Sequence, residues 1–331
     1  MGQKMINARD IYSFASTAQA AYGRLSLGLT LQESLDLGVD KEHLFSKTQA
    51  QAFATEWRVV QNGHMPDQDG GRAENGGYTI PGGGTTGGGF SATLFQRNTG
   101  EQDYVLAFRG TMGFDDLVVT DGGDIVLDGV ASSQIIDMYN YWMALKTPAG
   151  ETFSKAVVQA ASTLEQAAFS ALGPIAGMAA ANLAGYYWDN GRAFKIVRSD
   201  TNLGTGLGAF PEGAKLTVTG HSLGGHLAAA FTRLFEETGA EALTINGAGF
   251  GLPQTANVNT FFDLLAGHST SFDESRITNL YGDKNPEFVT QDFLLGAKGV
   301  SFAFLLGAKG VSFAFLLEQP CHVAHALLSS R

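Results

Sequence analysis

Apolar residues recur at helical spacing between Asp10 and Tyr22 and again between Thr48 and Trp57, which predicts two helices near the start of the chain. Runs rich in Val, Leu and Phe follow at Ser91–Gln96 and Tyr104–Phe108 and predict two strands. Ser132–Leu145 predicts a helix whose Ile135, Ile136, Met138, Tyr139 and Trp142 form a broad apolar face. The Ala-rich stretch Glu151–Gly185 also reads as helical. It is broken at Gly173-Pro174, because proline lacks an amide hydrogen and clashes with the preceding turn. Farther on, Lys215–Thr219 predicts a strand that runs through Gly220 into a helix over Ser222–Glu237. Ala242–Ile245 and Arg276–Tyr281 predict two more strands, with a helix near Asn257–Leu265 between them. Strands alternating with helices predict an α/β architecture around a mostly parallel sheet.

Two apolar stretches stand apart. Gln166–Trp188 carries no charge and is long enough to span a bilayer, but Ala, Gly, Ser, Asn and Pro insert weakly. Packed helices, or a cover over an apolar site, fit that composition better than a membrane span. In the second stretch, Leu294–Phe304 reads LLGAKGVSFAF and Leu305–Phe315 repeats it residue for residue. Val300–Leu306 and Val311–Leu317 around the turn-like Gly307–Gly310 suit a hairpin. An eleven-residue period also suits a helix with Lys298 and Lys309 on one face. The expected organisation is one domain over residues 1–331, with a lid-like region at 131–190 and the duplicated segment at 294–315.

Composition narrows the function classes. Twenty-one Lys+Arg against thirty-two Asp+Glu leave a net charge of −11. Basic residues are nowhere clustered, which argues against a nucleic-acid partner. The lone Cys321 excludes an intrachain disulfide and a zinc site of Cys-x-x-Cys type. Much of the glycine lies within Gly70–Gly89, which reads as a long surface loop or hairpin region. The Gly-x-x-x-x-Gly-Lys pattern of a phosphate cradle is absent. Met1 to Arg24 lacks the unbroken apolar core of a secretory signal, so the expectation is export without a cleaved leader, or residence in the cytoplasm. No cofactor is expected. Asp115, Asp116, Asp121 and Asp124 read as solvated loop charges, calcium being the ion that such an oxygen-rich loop would take if it took one.

The chemistry concentrates at Val218-Thr219-Gly220-His221-Ser222-Leu223-Gly224-Gly225-His226. Gly-x-Ser-x-Gly between a strand and a helix places a serine on a tight turn, where the positions two before and two after it must be small. The helix N-terminus that follows presents amides to a developing oxyanion. Such a serine needs a base and an orienting acid, in the chain order Ser, acid, His. His43 and His64 come too early, and His268 precedes the strand after which the acid belongs. His221 and His226, beside the nucleophile, read as solvated loop or helix polarity. His322 and His325 remain. His322 is preferred as the residue that would open a final helix through Val323–Leu328, with His325 as the alternative base. Asp283, in the loop Gly282-Asp283-Lys284-Asn285-Pro286, is the preferred acid, with Glu287 and Asp292 in reserve.

Gly220-His221-Ser222-Leu223-Gly224-Gly225, together with Phe108-Arg109-Gly110-Thr111 about 110 residues earlier, resembles the class 3 lipase family. The resemblance spans roughly Ser91–Pro286. It implies an α/β-hydrolase fold. It also implies that Thr111 is one oxyanion-hole donor and the backbone N–H of Leu223 the other. Asp283 three residues before Pro286 matches the spacing of the family's acid. The family's histidine has little local motif and does not carry over by pattern. The implied activity is hydrolysis of lipid esters, as in triacylglycerol lipases and esterases, with an oil–water or membrane surface as the expected place of action. His322 completes the expected Ser222–Asp283–His322 triad on chain order alone. Phospholipase A1 is the alternative within that chemistry, and a noncatalytic lipid-binding relative the alternative outside it.

Overall fold

The computed structural model describes residues 7–23, 25, 30–37, 45–64, 78–79, 90–99, 102–110, 130–250, 255–282, 299–306, 311–319 and 322–325. The glycine-rich segment, apart from Tyr78–Thr79, and the Asp115–Asp124 cluster lie outside these residues.

The chain opens with α1 (Ala8–Ala20), α2 (Leu31–Leu37) and α3 (Lys47–Glu56), the last begun by a Ser46–Gln49 capping box. Five parallel strands make the centre of the sheet: β4 (Asp103–Phe108), β10 (Lys215–His221), β11 (Glu241–Ile245), β12 (Ile277–Gly282) and β13 (Gly299–Leu306). Beside β4 lie β3 (Ser91–Arg97), antiparallel to it, and β1 (Trp57–His64), which also pairs with β2 (Tyr78–Thr79). On the other side β14 (Val311–Gln319) and β15 (His322–His325) continue the sheet antiparallel. The resulting order is β15-β14-β13-β12-β11-β10-β4-β3-β1-β2. A parallel sheet wound with helices, with Ser222 on the turn after a central strand, is the α/β-hydrolase arrangement that the two motifs imply.

Between β4 and β10 the chain forms α4 (Ser132–Lys146), β5 (Thr152–Ser154), β6 (Val157–Ala160), α5 (Thr163–Ser170), α6 (Pro174–Leu183), β7 (Tyr187–Asp189), β8 (Arg192–Val197) and β9 (Leu203–Thr205). Helix α7 (Leu223–Leu234) follows β10, and α8 (Thr255–Ala266) joins β11 to β12. Both faces of the sheet are covered. On one face α1 sits on β10, β11 and β4, and Phe14, Phe53, Trp57, Phe95, Val105 and Leu243 pack together. On the other, α4, α7 and α8 bury Trp142, Phe231, Phe235, Phe261 and Phe262. Arg97 ties the first layer to the sheet. Its guanidinium pairs with Glu56 and, at 3.0 Å, with Asp103, and it lies 4.4 Å over the Trp57 ring.

Several expectations change. The first part of Glu151–Gly185 is not helical: Thr152–Ser154 pairs with Leu203–Thr205 and Val157–Ala160 with β8, partners some forty to fifty residues away that local periodicity does not reveal. Pro174 does break the stretch, as the first residue of α6. The tandem repeat folds as a hairpin, not a helix, with Leu306 opposite Val311. His322 does not open a helix, because His322–His325 pairs with β14 as a strand; the rest of Val323–Leu328 lies outside the described residues. Within the expected lid region, α4 is a core helix. Its Ile135, Ile136, Met138, Tyr141 and Leu145 are fully buried, and its buried Asn140 is satisfied by both backbone groups of Ala156.

Trp142 is the hinge of the second layer, its ring within 4.9 Å of Phe210 and 5.0 Å of Phe231. Trp142→Ala is expected to cost about 3–5 kcal/mol, measured by denaturant unfolding, because the aromatic shell around it cannot collapse onto the void. A loss below about 1 kcal/mol would show that this packing is dispensable.

Candidate active site

The Gly-x-Ser-x-Gly motif owes its shape to three backbones that nearly touch. Strand β10 enters between β4 and β11, and α7 leaves over both. A β-carbon on Gly220 would lie 2.2 Å from the Gly224 carbonyl carbon, and one on Gly224 would lie 2.3 Å from Phe108 O. A β-carbon on Gly225 would lie 2.5 Å from Gly247 Cα. No side chain fits at these positions, which is the physical content of the glycine pattern. Between them Ser222 takes φ 54° and ψ −121°, a conformation strained for any residue with a β-carbon. Surrounding hydrogen bonds hold it there. Ser222 N–H donates to Ile245 O at 3.0 Å, and Ser222 O accepts from Gly225 N (2.9 Å), His226 N (3.2 Å) and Ala248 N (3.2 Å). Ser222 is half-buried, and buried Leu223 begins α7 beside Ala131 and Ala248.

His226 departs from expectation. It is fully buried, not solvated, with its ring centroid 4.0 Å from that of Phe250. Nε2 accepts the N–H of Ala131 at 3.3 Å, so Nδ1 carries the proton and donates to Gly249 O at 3.1 Å. Burial lowers its pKa to about 4, against the opposing pull of the Gly249 and Ala248 backbones. One neutral imidazole thus bridges the chain entering α4 and the loop after β11, on either side of the nucleophile turn. Its position after Gly-Gly in the motif was legible; its burial was not.

β4, β10, β11 and β12 end along one edge of the sheet, as the pairings Phe108–Gly220, His221–Ile245 and Ile245–Leu280 show. Arg109 and Gly110 follow β4 at that edge, beside the nucleophile turn. Thr111 itself lies outside the described residues, as do Asp283, Glu287 and Asp292. In sequence, Asp283 comes directly after Gly282, the last residue of β12, two strands from β10. The two candidate bases, His322 and His325, lie on β15, five strands from β10 in the sheet order. At the usual strand spacing that is about 24 Å of sheet. The structure therefore groups Ser222, Leu223 and the Arg109–Gly110 segment, and does not bring β15 beside them. Among the described residues there is no cluster of His, Cys, Asp and Glu suited to a metal ion, and no helix long and apolar enough to cross a membrane.

Residues 193–279 match the family model described as lipase (class 3). Over that segment the chain is similar to class 3 lipases. The matched stretch contains the Ser222 motif and stops short of Asp283. No curated protein matches the sequence. Among solved structures, M37 lipase is 16% identical over 82% of this chain and 66% of its own, with a TM-score of 0.32. Lip2 lipase from Yarrowia lipolytica is 13% identical over 92% of this chain and 82% of its own (TM-score 0.39). The lipase from Rhizopus microsporus var. chinensis is 11% identical over 93% and 78% (TM-score 0.34). The chain spans just under two thirds of the M37 lipase chain.

His226 has a consequence for stability. Its folded pKa lies below its unfolded value, so the unfolded chain takes up a proton first as pH falls. The contribution is complete above about pH 6.5 and is lost progressively down to about pH 4, by about 3 kcal/mol at most. Denaturant melts across this range are expected to show that slope in the wild type. His226→Gln, which takes no proton, is expected to flatten it.

Proposed function

We propose that the protein hydrolyses lipid esters through Ser222, by way of an acyl-enzyme. The observation that carries this reading is the strained Ser222 between Gly220 and Gly224, at the N-terminus of α7 and against the end of β4. The family match over the same residues supports it. Ser222 Oγ attacks the ester carbonyl carbon and a histidine takes its proton. The tetrahedral oxyanion is held by the Leu223 N–H and by Thr111. The histidine then protonates the departing alcohol, and water repeats the sequence to release the fatty acid. Asp283 orients the imidazole. His322 is the proposed base and His325 the alternative, on chain order and not on nearness to Ser222.

The surface supports an aggregated substrate. On α5, α6 and the turn between them, Leu164, Leu172, Ile175 and Leu183 are 82%, 57%, 81% and 91% exposed, and no residue from Gln166 to Trp188 is charged. An apolar face of this kind suits contact with a lipid surface. Phospholipase A1 activity is the same chemistry on a different lipid. The place of β15 favours a second reading, a lipid-binding relative without a working base.

Hydrolysis of p-nitrophenyl esters from short to long acyl chains, with Ser222→Ala alongside, tests the reading. Activity is expected on long chains, stronger on emulsions than on dissolved ester, and abolished in Ser222→Ala. His322→Ala and His325→Ala are expected to separate, with the true base losing at least about 10³-fold in kcat. Failure to react with a fluorophosphonate would favour the noncatalytic relative, since labelling requires an activated serine. Activity on phosphatidylcholine at its first ester bond, with none on triacylglycerol, would make it a phospholipase A1.

A further inference from the structure

Just after α1, far from both motifs in sequence, Tyr22 is buried with only 1% of its surface exposed. Its Oη accepts the N–H of Gly110 at 3.1 Å and lies 3.3 Å from Nδ1 of His221. Accepting from Gly110 keeps the phenolic hydrogen available for donation, and Nδ1 of His221 lies within its reach. One hydroxyl therefore touches the residue before Thr111 and the residue before Ser222. The fit is close: a β-carbon on Gly110 would stand 2.5 Å from both Tyr22 Oη and His221 O. The phenol has a firm base, since Phe14, Thr17, Ala18 and Ala20 of α1 are buried and α1 lies against β10, where Thr219 Oγ1, donating to Leu243 O at 2.7 Å, sits 3.4 Å from Phe14 O.

We propose that Tyr22 is a positioning residue for the oxyanion hole, holding the Gly110 peptide, which directly precedes Thr111 in the chain, against the nucleophile turn. The inference rests on the proposed ester hydrolysis and on the role of Thr111 in it. A donor is effective when it is already aimed at the oxygen before charge develops, so a peptide free to rock ahead of Thr111 would lose rate more than substrate binding. Phenylalanine at this position fills the same space and leaves the buried Gly110 amide without the oxygen it bonds.

The test is Tyr22→Phe in the full chain, alone and combined with Thr111→Ala, with melting temperatures measured for each. Fluorophosphonate labelling of Ser222 is read first, because it needs the activated serine and an oxyanion hole but no ester specificity. The expected result is a labelling rate and a kcat both lower by about tenfold in Tyr22→Phe, with KM within about twofold, since loss of a whole donor costs about 10²–10³. In the Thr111→Ala background the same substitution is expected to add little, because both act through one donor. Unchanged labelling and kcat, with or without a lower melting temperature, would overturn the inference and leave the proposed function standing. A full tenfold effect on top of Thr111→Ala would also overturn it. A wild-type protein that does not label at all would overturn both.

Discussion

Everything at the site depends on one tight reversal of the backbone. Between Gly220 and Gly224 the chain turns from the central strand into α7 with no room for a β-carbon on either side, and it carries Ser222 through at positive φ. A non-glycine residue in such a conformation costs on the order of 1–3 kcal/mol and persists only where its surroundings over-determine it. The surroundings here are backbone: Ile245 O accepts from Ser222, and Gly225, His226 and Ala248 donate to its carbonyl. The same contacts fix how closely α7 crosses β4 and β11, so the geometry of Ser222 and the packing of the sheet are one arrangement.

Two buried rings extend that arrangement outward. His226 ties the entry of α4 to the loop after β11, and Tyr22 ties Gly110, after β4, to His221, the residue before Ser222. Each meets backbone groups that sheet and helix leave unpaired, and a buried polar ring is tolerated only when such partners are present. Each joins segments distant in the chain: Ala131 with Gly249 through His226, and α1 with Gly110 through Tyr22. The turn is thus held from both sides by side chains that are not themselves part of the proposed reaction.

The insertion between β4 and β10 divides into two kinds of structure. Helix α4 is part of the core, and its aromatic residues lock the layer beneath α7. Helices α5 and α6 remain largely exposed, with their aliphatic side chains in solvent, although α5 is well capped. Its Ser162–Glu165 capping box, with Tyr186 donating to Glu165 at 2.7 Å, holds the carboxyl at about 2, the Ser162 hydroxyl being the largest cause. A well-formed helix pair that buries so little of its own apolar surface is what the proposed lipid contact would use.

Much of this was legible locally. The strand before Gly220, the helix after Ser222, the helix over Ser132–Leu145 and the strand Tyr104–Phe108 each follow from periodicity, and each was found within a few residues of its expected bounds. The glycine spacing around Ser222 was legible for the same reason: close approach leaves a mark on the residues that make it. What the sequence could not express was pairing across long separations. Thr152–Ser154 and Val157–Ala160 became strands because β9 and β8 lay beside them, and His322–His325 because β14 did. His226 and Tyr22 looked like ordinary polar positions on helical stretches, since nothing in a sequence records which distant amide a ring will meet. The sequence by itself determined which residues could form the nucleophile turn, because the steric exclusion there acts within a few residues. Only the tertiary structure decided what holds that turn in place, because those hydrogen bonds exist only after the sheet has brought its partners together.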